Sequence, residues 1–238
     1  MMKVFVPLFF YLICIMHGFA QSNLVVENTE HYKVYDSFIS YENNNVFNGL
    51  EYIDDYRSLD IKNHKFYASS DFLSGFIVYN EQPYYNAKMK YDLLHDLVIL
   101  EFVNNKVANL SLNSNMISQF VLNDDKFVRL PKTTSLLPFY ENGFFKEAYK
   151  GEEYELYVKY KKEGIQKLSK NKVFYVFKDH ETYVLFYKNI YLKINSKKDI
   201  IELIPEKKAE ISDYFNSNRR LYKKNKYQFF VKLFTNLN

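Results

Sequence analysis

The chain of 238 residues has one cysteine, no tryptophan, six glycines and five prolines. A single cysteine cannot close an internal disulfide or supply a Cys-pair metal or redox site. So few Gly and Pro exclude a collagen-like chain and low-complexity linkers. A hydrophobic content of 47% with 25% charged residues excludes a disordered chain. The sequence also lacks GxGxxG, a P-loop, GxSxG, HExxH and CxxC, so the short motifs of nucleotide, hydrolase and metalloprotease sites are absent. What is abundant is Tyr (23), Phe (22) and Asn (24). Flat rings pack well on a pleated surface, so this bias favours strands.

Met1-Met2-Lys3 is a short basic start, and Val4 to Met16 is almost wholly apolar. Small residues then stand at Gly18 and Ala20, the positions that a signal peptidase reads. The run of about 13 residues falls short of the roughly 20 that span a bilayer. The segment 1–20 therefore reads as a secretory signal peptide cleaved after Ala20. The single Cys is Cys14, so the chain from Gln21 onward would carry no thiol nucleophile and no Cys ligand. No other stretch is long enough to cross a membrane as a helix.

Residues 21–238 read as one domain with a change of grammar near residue 196. From Val25 to about Asp71 the pattern is weak, with short aromatic pieces such as Tyr32 to Phe38 between turn residues. Phe76 to Tyr79 reads as a strand. Tyr85, Ala87, Met89 and Tyr91 then alternate with Asn86, Lys88 and Lys90, the period of a half-buried strand. Asp92 to Asp96 is a turn, and Leu97 to Val103 returns. The same rhythm continues through Ile117 to Leu122, Phe127 to Leu130, Phe144 to Tyr149 and Tyr154 to Tyr160. Val173 to Phe177 and Tyr183 to Tyr187 flank a polar interruption at Lys178 to Glu181, and Tyr187 to Ile190 reads as a tight hairpin. Regular short strands with turn signals predict a mainly β fold: an antiparallel meander, as a sandwich or an open half barrel.

From residue 196 to 238 the spacing is helical. Ser196 can cap a helix carrying Ile200, Leu203 and Ile204, and Pro205 can start a second. Asn216 to Asn225 reads as a polar break. A last helix from about Lys226 to Leu237 gathers Phe230 and Phe234 with Phe229 and Leu233 on a wide apolar stripe. Such a stripe needs a partner surface, and the sheet is the one available.

Several segments together resemble a group of uncharacterised exported proteins of Bacteroidota. They are Asn48-Gly49-Leu50-Glu51-Tyr52, Asn63-His64-Lys65-Phe66-Tyr67, Gly75-Phe76-Ile77-Val78-Tyr79 and Tyr84-Tyr85-Asn86-Ala87 through Tyr91-Asp92. Ser196-Lys197-Lys198-Asp199-Ile200 and Pro205-Glu206-Lys207-Lys208 complete the set. The resemblance implies an envelope location and a β-rich fold, and it carries no catalytic residue. Its pattern calls for Gly before His64, where Asn63 stands. Asn tolerates the left-handed conformation that such a Gly would supply.

Two polar clusters could carry chemistry. Asp92, His95 and Asp96 could be metal ligands or an acid/base pair, but they fall in a turn, where Asp bonds its own backbone. Glu51, Asp54 and Asp55 lack the spaced carboxylates and Gly of a calcium loop. His31, His64 and His180 are single. Neither a cofactor nor a metal is expected, and no enzymatic activity.

Charge is more informative. Residues 131–238 hold 22 Lys+Arg against 13 Asp+Glu, whereas residues 21–130 hold 9 against 15. The dense stretch supplies Arg219, Arg220, Lys223, Lys224 and Lys226 as candidate contacts to an anionic surface. Export argues against nucleic acid and towards an anionic lipid, an acidic glycan or another envelope protein as partner. The function these readings predict is that of a non-enzymatic envelope binding or accessory protein. A carrier of acyl chains under a curved sheet is the alternative, and an envelope hydrolase fits least.

Overall fold

A computed structural model of the protein describes residues 49–103, 107–169 and 172–238. The expected signal segment and the piece Tyr32 to Phe38 lie outside the described residues. The strands are β1 (Leu50–Glu51), β2 (Leu73–Tyr79), β3 (Gln82–Asp92), β4 (Leu97–Val103), β5 (Val107–Ser111), β6 (Ile117–Leu122), β7 (Asp125–Arg129), β8 (Phe144–Lys150), β9 (Glu155–Ser169), β10 (Lys172–Tyr187) and β11 (Ile190–Ile194). They form one antiparallel sheet in the order β1-β5-β4-β3-β2-β6-β7-β8-β9-β10-β11. The fold is mainly antiparallel β with a helical C-terminal segment packed on it, as the sequence predicts.

The order is not one continuous meander. After β5 the chain returns to pair β6 with β2, and this is possible because the sheet curls. Tyr91 on β3 lies three strands from β7 and four from β8, roughly 14 and 19 Å along a flat sheet. Its ring is nevertheless 5.1 Å from that of Phe127 on β7 and 6.2 Å from that of Phe144 on β8. The concave side is filled by Ile77, Met89, Tyr91, Val98, Phe120, Leu122 and Phe127, all buried. The sheet is therefore a curled, open one, with β1 and β11 as its edges.

Three hairpins turn on residue pairs with positive φ: Asn80-Glu81, Asn123-Asp124 and Lys188-Asn189. Two successive left-handed residues match the right-handed strand twist, and Asn and Asp bear that conformation better than most. Asn86 is also left-handed, at φ 58°. It is the extra residue where the β2–β3 register shifts between Gly75 and Phe76. This bulge corrects the expected alternation of β3: Tyr84, not Tyr85, is buried before it, and Met89 and Tyr91 are buried after it. Asn63 is not among the left-handed residues. Its amide instead pairs with the Phe177 backbone, donating to its carbonyl at 2.9 Å and accepting from its N–H at 2.6 Å. Glycine could make neither bond.

β10 is continuous through Lys178 to Glu181, where the sequence suggested an interruption. Those four residues are themselves exposed, so burial imposes no apolar period on them. Closer to the sheet, alternation is strict. Leu156 and Val158 on β9, with Tyr183, Leu185 and Tyr187 on β10, face the helices, while Tyr157 and Val184 face Leu130, Leu136, Tyr140 and Phe145.

The helical segment comprises α1 (Lys197–Leu203), a 3-10 turn at Pro205–Lys207, α2 (Lys208–Ser217), α3 (Arg219–Lys224) and α4 (Lys226–Leu237). Ser196 and Asp199 form a reciprocal capping box at the start of α1. Phe229, Phe230, Leu233 and Phe234 of α4 are fully buried against the sheet. The polar break expected at Asn216 to Asn225 is instead mostly helix, as α3. Arg and Lys are good helix formers, and Leu221 and Tyr222 supply the inward side.

Candidate functional site

α2 ends at Asn218, whose N–H and side-chain amide both donate to the Tyr214 carbonyl, at 2.9 and 3.0 Å. The chain bends there and re-enters helix at Arg219. Tyr222 of α3 donates to the Asn195 carbonyl at 2.7 Å, which fixes α3 beside the start of α1. Its ring packs 5.4 Å from Phe215 and 5.0 Å from Phe229. Between these elements lies a cavity of about 460 Å³ lined by Lys197, Phe215, Asn216, Arg219, Arg220, Tyr222 and Lys223.

Four cations thus share one cavity with two aromatic rings and no carboxylate. Arg219 donates to Asn216 Oδ1 at 3.2 Å. The ion pairs formed along these helices, Lys198–Glu202 and Lys207–Glu210, involve other residues. Arg and Lys side chains that line one open depression favour a compact anion there. The wall of Phe215 and Tyr222 can hold a ring or an alkyl segment beside it.

Of the five basic residues singled out by sequence, Arg219, Arg220 and Lys223 line this cavity. Lys224 does not, and Lys226 instead lies 5.2 Å over the Tyr222 ring. Lys197 was missed. It is 22 positions from Arg219, and the Tyr222–Asn195 bond and the shared apolar cluster bring the two segments together.

The β3–β4 turn carries a second polar concentration. Asp92 Oδ1 accepts from the Leu94 and His95 N–H groups at 2.8 and 3.2 Å, the backbone-bonding role expected of a turn Asp. Its Oδ2 accepts from His95 Nδ1 at 2.9 Å and from the Tyr52 hydroxyl at 2.8 Å. Because a carboxylate only accepts, the proton sits on Nδ1. Nε2 is then left to face the Tyr56 hydroxyl at 3.4 Å. Buried Lys65 lies 2.8 Å from Asp54 and 3.4 Å from Asp92, with its ammonium over the Tyr56 ring at 4.5 Å. Burial, and then the Asp92 charge, push the Tyr52 hydroxyl well above its ordinary value.

Asp96 points away from this group. It meets Lys159 at 2.5 Å, the Tyr91 hydroxyl at 2.5 Å, and the N–H groups of Asn142 and Gly143 at 2.7 and 3.0 Å. Burial pushes the Asp96 carboxyl up and the Lys159 ammonium down, and their mutual attraction opposes both shifts. So the structure brings Asp92 and His95 together and separates Asp96 from them. Lys65 bridges Asp54 and Asp92, so its ammonium stands between the two carboxylates. Among the described residues, no group of three or more His, Cys, Asp and Glu could hold a metal. The bonds of the Asp92 group run from the segment 52–65 to the turn, so the group fastens that segment to the sheet.

Among the described residues, no helix is long and apolar enough to cross a membrane. Comparison with known proteins found no matching family model, no matching curated protein and no matching solved structure.

Proposed function

We propose that this chain is a non-enzymatic, exported binding component of a cell envelope. It holds an anionic group of its partner in the cavity between α1, α2 and α3. The observation that carries this reading is the convergence of Lys197, Arg219, Arg220 and Lys223 on one aromatic-walled space without a carboxylate. The shared chemistry of the ligand is a phosphate, sulfate or carboxylate, borne by a lipid headgroup or an acidic glycan. The rings that fill the concave side of the sheet favour surface binding over the carriage of an acyl chain in its interior.

Calorimetric titration with glycerol phosphate and with a uronic-acid oligosaccharide tests the reading and separates the two sources. Removing one cation that bonds a charged ligand should weaken binding about tenfold or more. Arg220→Ala and Lys223→Ala should each show that loss, and Lys224→Ala should not. Failure of both probes to bind the unsubstituted chain would overturn the site. Export is tested separately: the exported protein should begin at Gln21, and retention of residues 1–20 would contradict it.

A further inference from the structure

The hairpin of β9 and β10 is longer than the sheet it belongs to. β8 pairs with β9 only as far as Val158, and β11 pairs with β10 only from Tyr183. Beyond those points, Lys159 to Ser169 and Thr182 back to Lys172 pair only with each other. Eleven residues of strand extend roughly 35 Å. The segment 52–65 braces part of this ribbon. The Arg57 carbonyl accepts from Tyr175 N–H at 2.9 Å, the Tyr56 and Tyr175 rings are 4.7 Å apart, and Asn63 grips Phe177.

Past Tyr175 the ribbon turns apolar where it is most exposed. Leu168 and Val173 are cross-strand partners, 71% and 47% exposed, and Val176 on the other face is 37% exposed. Leu59 and Ile61 of the bracing segment, each two residues from a bond to the ribbon, are exposed as well. Half of the exposed large apolar residues therefore gather on one projection, which marks an interaction surface rather than scattered exposure.

At the outer end of the ribbon the charge has one sign, whereas Asp60 stands between Leu59 and Ile61 on the bracing segment. Residues 164–169 and 172–178 contain Lys167, Lys172 and Lys178 and no Asp or Glu. Lys178 stands opposite Glu163 in the register, and the outermost ion pairs of the ribbon, Lys162–Asp179 and His180–Glu163, lie inward of Lys167 and Lys172. By strand alternation these lysines share the face opposite Leu168 and Val173.

We infer that the outer end of this ribbon docks the chain onto an anionic lipid bilayer. Leu168 and Val173 enter the interfacial layer end-on, while Lys167 and Lys172 on the ribbon's other face meet headgroup phosphates. A second copy of the chain is disfavoured as occupant, because two such ends carry charge of the same sign. The depth is limited by the backbone. Among the described residues no strand pairs with either edge of the ribbon's outer end, and the hydrocarbon core does not tolerate open strand edges, so only side chains enter. This inference rests on a different element from the anion cavity and does not need it.

A fluorophore that brightens in apolar surroundings tests the contact. It is attached at Ser169→Cys in the full chain carrying Cys14→Ser, so the apolar pair stays intact. Its emission should rise several-fold with phosphatidylcholine–phosphatidylglycerol vesicles and little with phosphatidylcholine alone. The same label at Glu210→Cys on α2 should stay dark. Lys167→Ala/Lys172→Ala should weaken the response about tenfold or more, and Leu168→Asp/Val173→Asp should abolish it. Arg220→Ala/Lys223→Ala should leave it unchanged. A silent label at residue 169, an equal response to both vesicle types, or loss of the signal only in the cavity variant would each overturn the inference. Quenching of one labelled chain by another without vesicles would replace the lipid with a second copy.

Discussion

The two halves of the β9–β10 hairpin share strands, register and backbone bonds, yet they live in opposite surroundings. In the inner half both faces are covered, the one by α4 and α1 and the other by the segment 130–145, so that Leu156, Val158, Val184 and Leu185 are sealed from water. In the outer half Leu168, Val173 and Val176 stand in solvent. The pairing of β9 with β10 runs through both halves, and the further bonds of the inner half to β8 and β11 each add a modest net gain, about 1 kcal/mol. The difference between them is burial, which is worth about 25 cal/mol for each Å² of apolar surface removed from water. The inner half is therefore where the hairpin contributes stability, and the outer half is free to make contacts of its own.

That contrast can be broken most violently from the helical side. Phe230 packs 4.8 Å from Tyr183 and is fully buried. Phe230→Ala should cost about 3–5 kcal/mol, read as a clear fall in the denaturant midpoint at unchanged slope. Next comes the buried pair at the base of the ribbon. Lys159→Ala leaves Asp96 without its cation, at a cost of about 3 kcal/mol or more. Lys159→Ala/Asp96→Ala should cost less than the two single changes together, a coupling that a double-mutant cycle measures.

A smaller effect belongs to the capping box of α1. Ser196→Ala should cost about 1 kcal/mol. The backbone N–H of Asn195, followed by the groups of Ser196, holds the Asp199 carboxyl below its ordinary value. A lowered carboxyl stabilises the fold above its unfolded-state value, about 3.9. The stability gap between the wild type and Asp199→Ala should therefore be full at neutral pH and close as the pH falls through the lowered value. Acid-series melts of both chains measure it.

Smallest of all should be changes in exposed groups. Leu168→Ser, Lys223→Ala and Lys224→Ala should each shift the midpoint by less than about 0.5 kcal/mol. If Leu168→Ser destabilised as Phe230→Ala does, the two halves would not differ as described.

The sequence made the inner half legible and hid the outer one. Phe229, Phe230, Leu233 and Phe234 fall at helical spacing, and Tyr154, Leu156 and Val158 alternate, because one-sided burial imposes a period. Lys178 to Glu181 read as an interruption because four successive exposed side chains carry no period. The phase error at Tyr85 came from the bulge at Asn86, which shifts the side chains by one residue and leaves little trace in composition. At the candidate cavity, Arg219, Arg220 and Lys223 were visible as a local cluster. Lys197 was not, since its place depends on a tertiary bond. Likewise Asp92 and His95 could be paired by their spacing of three, but Lys65, Tyr52 and Tyr56 joined them only through the path of the segment 52–65.

That α4 follows β8 to β11 in chain order has a further consequence for biogenesis. A polypeptide emerges from the ribosome N-terminus first. β8 to β11 are therefore complete while Tyr154, Tyr183 and Leu185 still wait for α4 to cover them. During that interval the sheet offers a sticky face to neighbouring nascent chains, and transiently exposed apolar surface of this kind draws partly made proteins into aggregates. A holdase that shields the face until Leu237 has emerged should raise the yield of soluble protein. A chain truncated before Lys226 should depend on such help permanently.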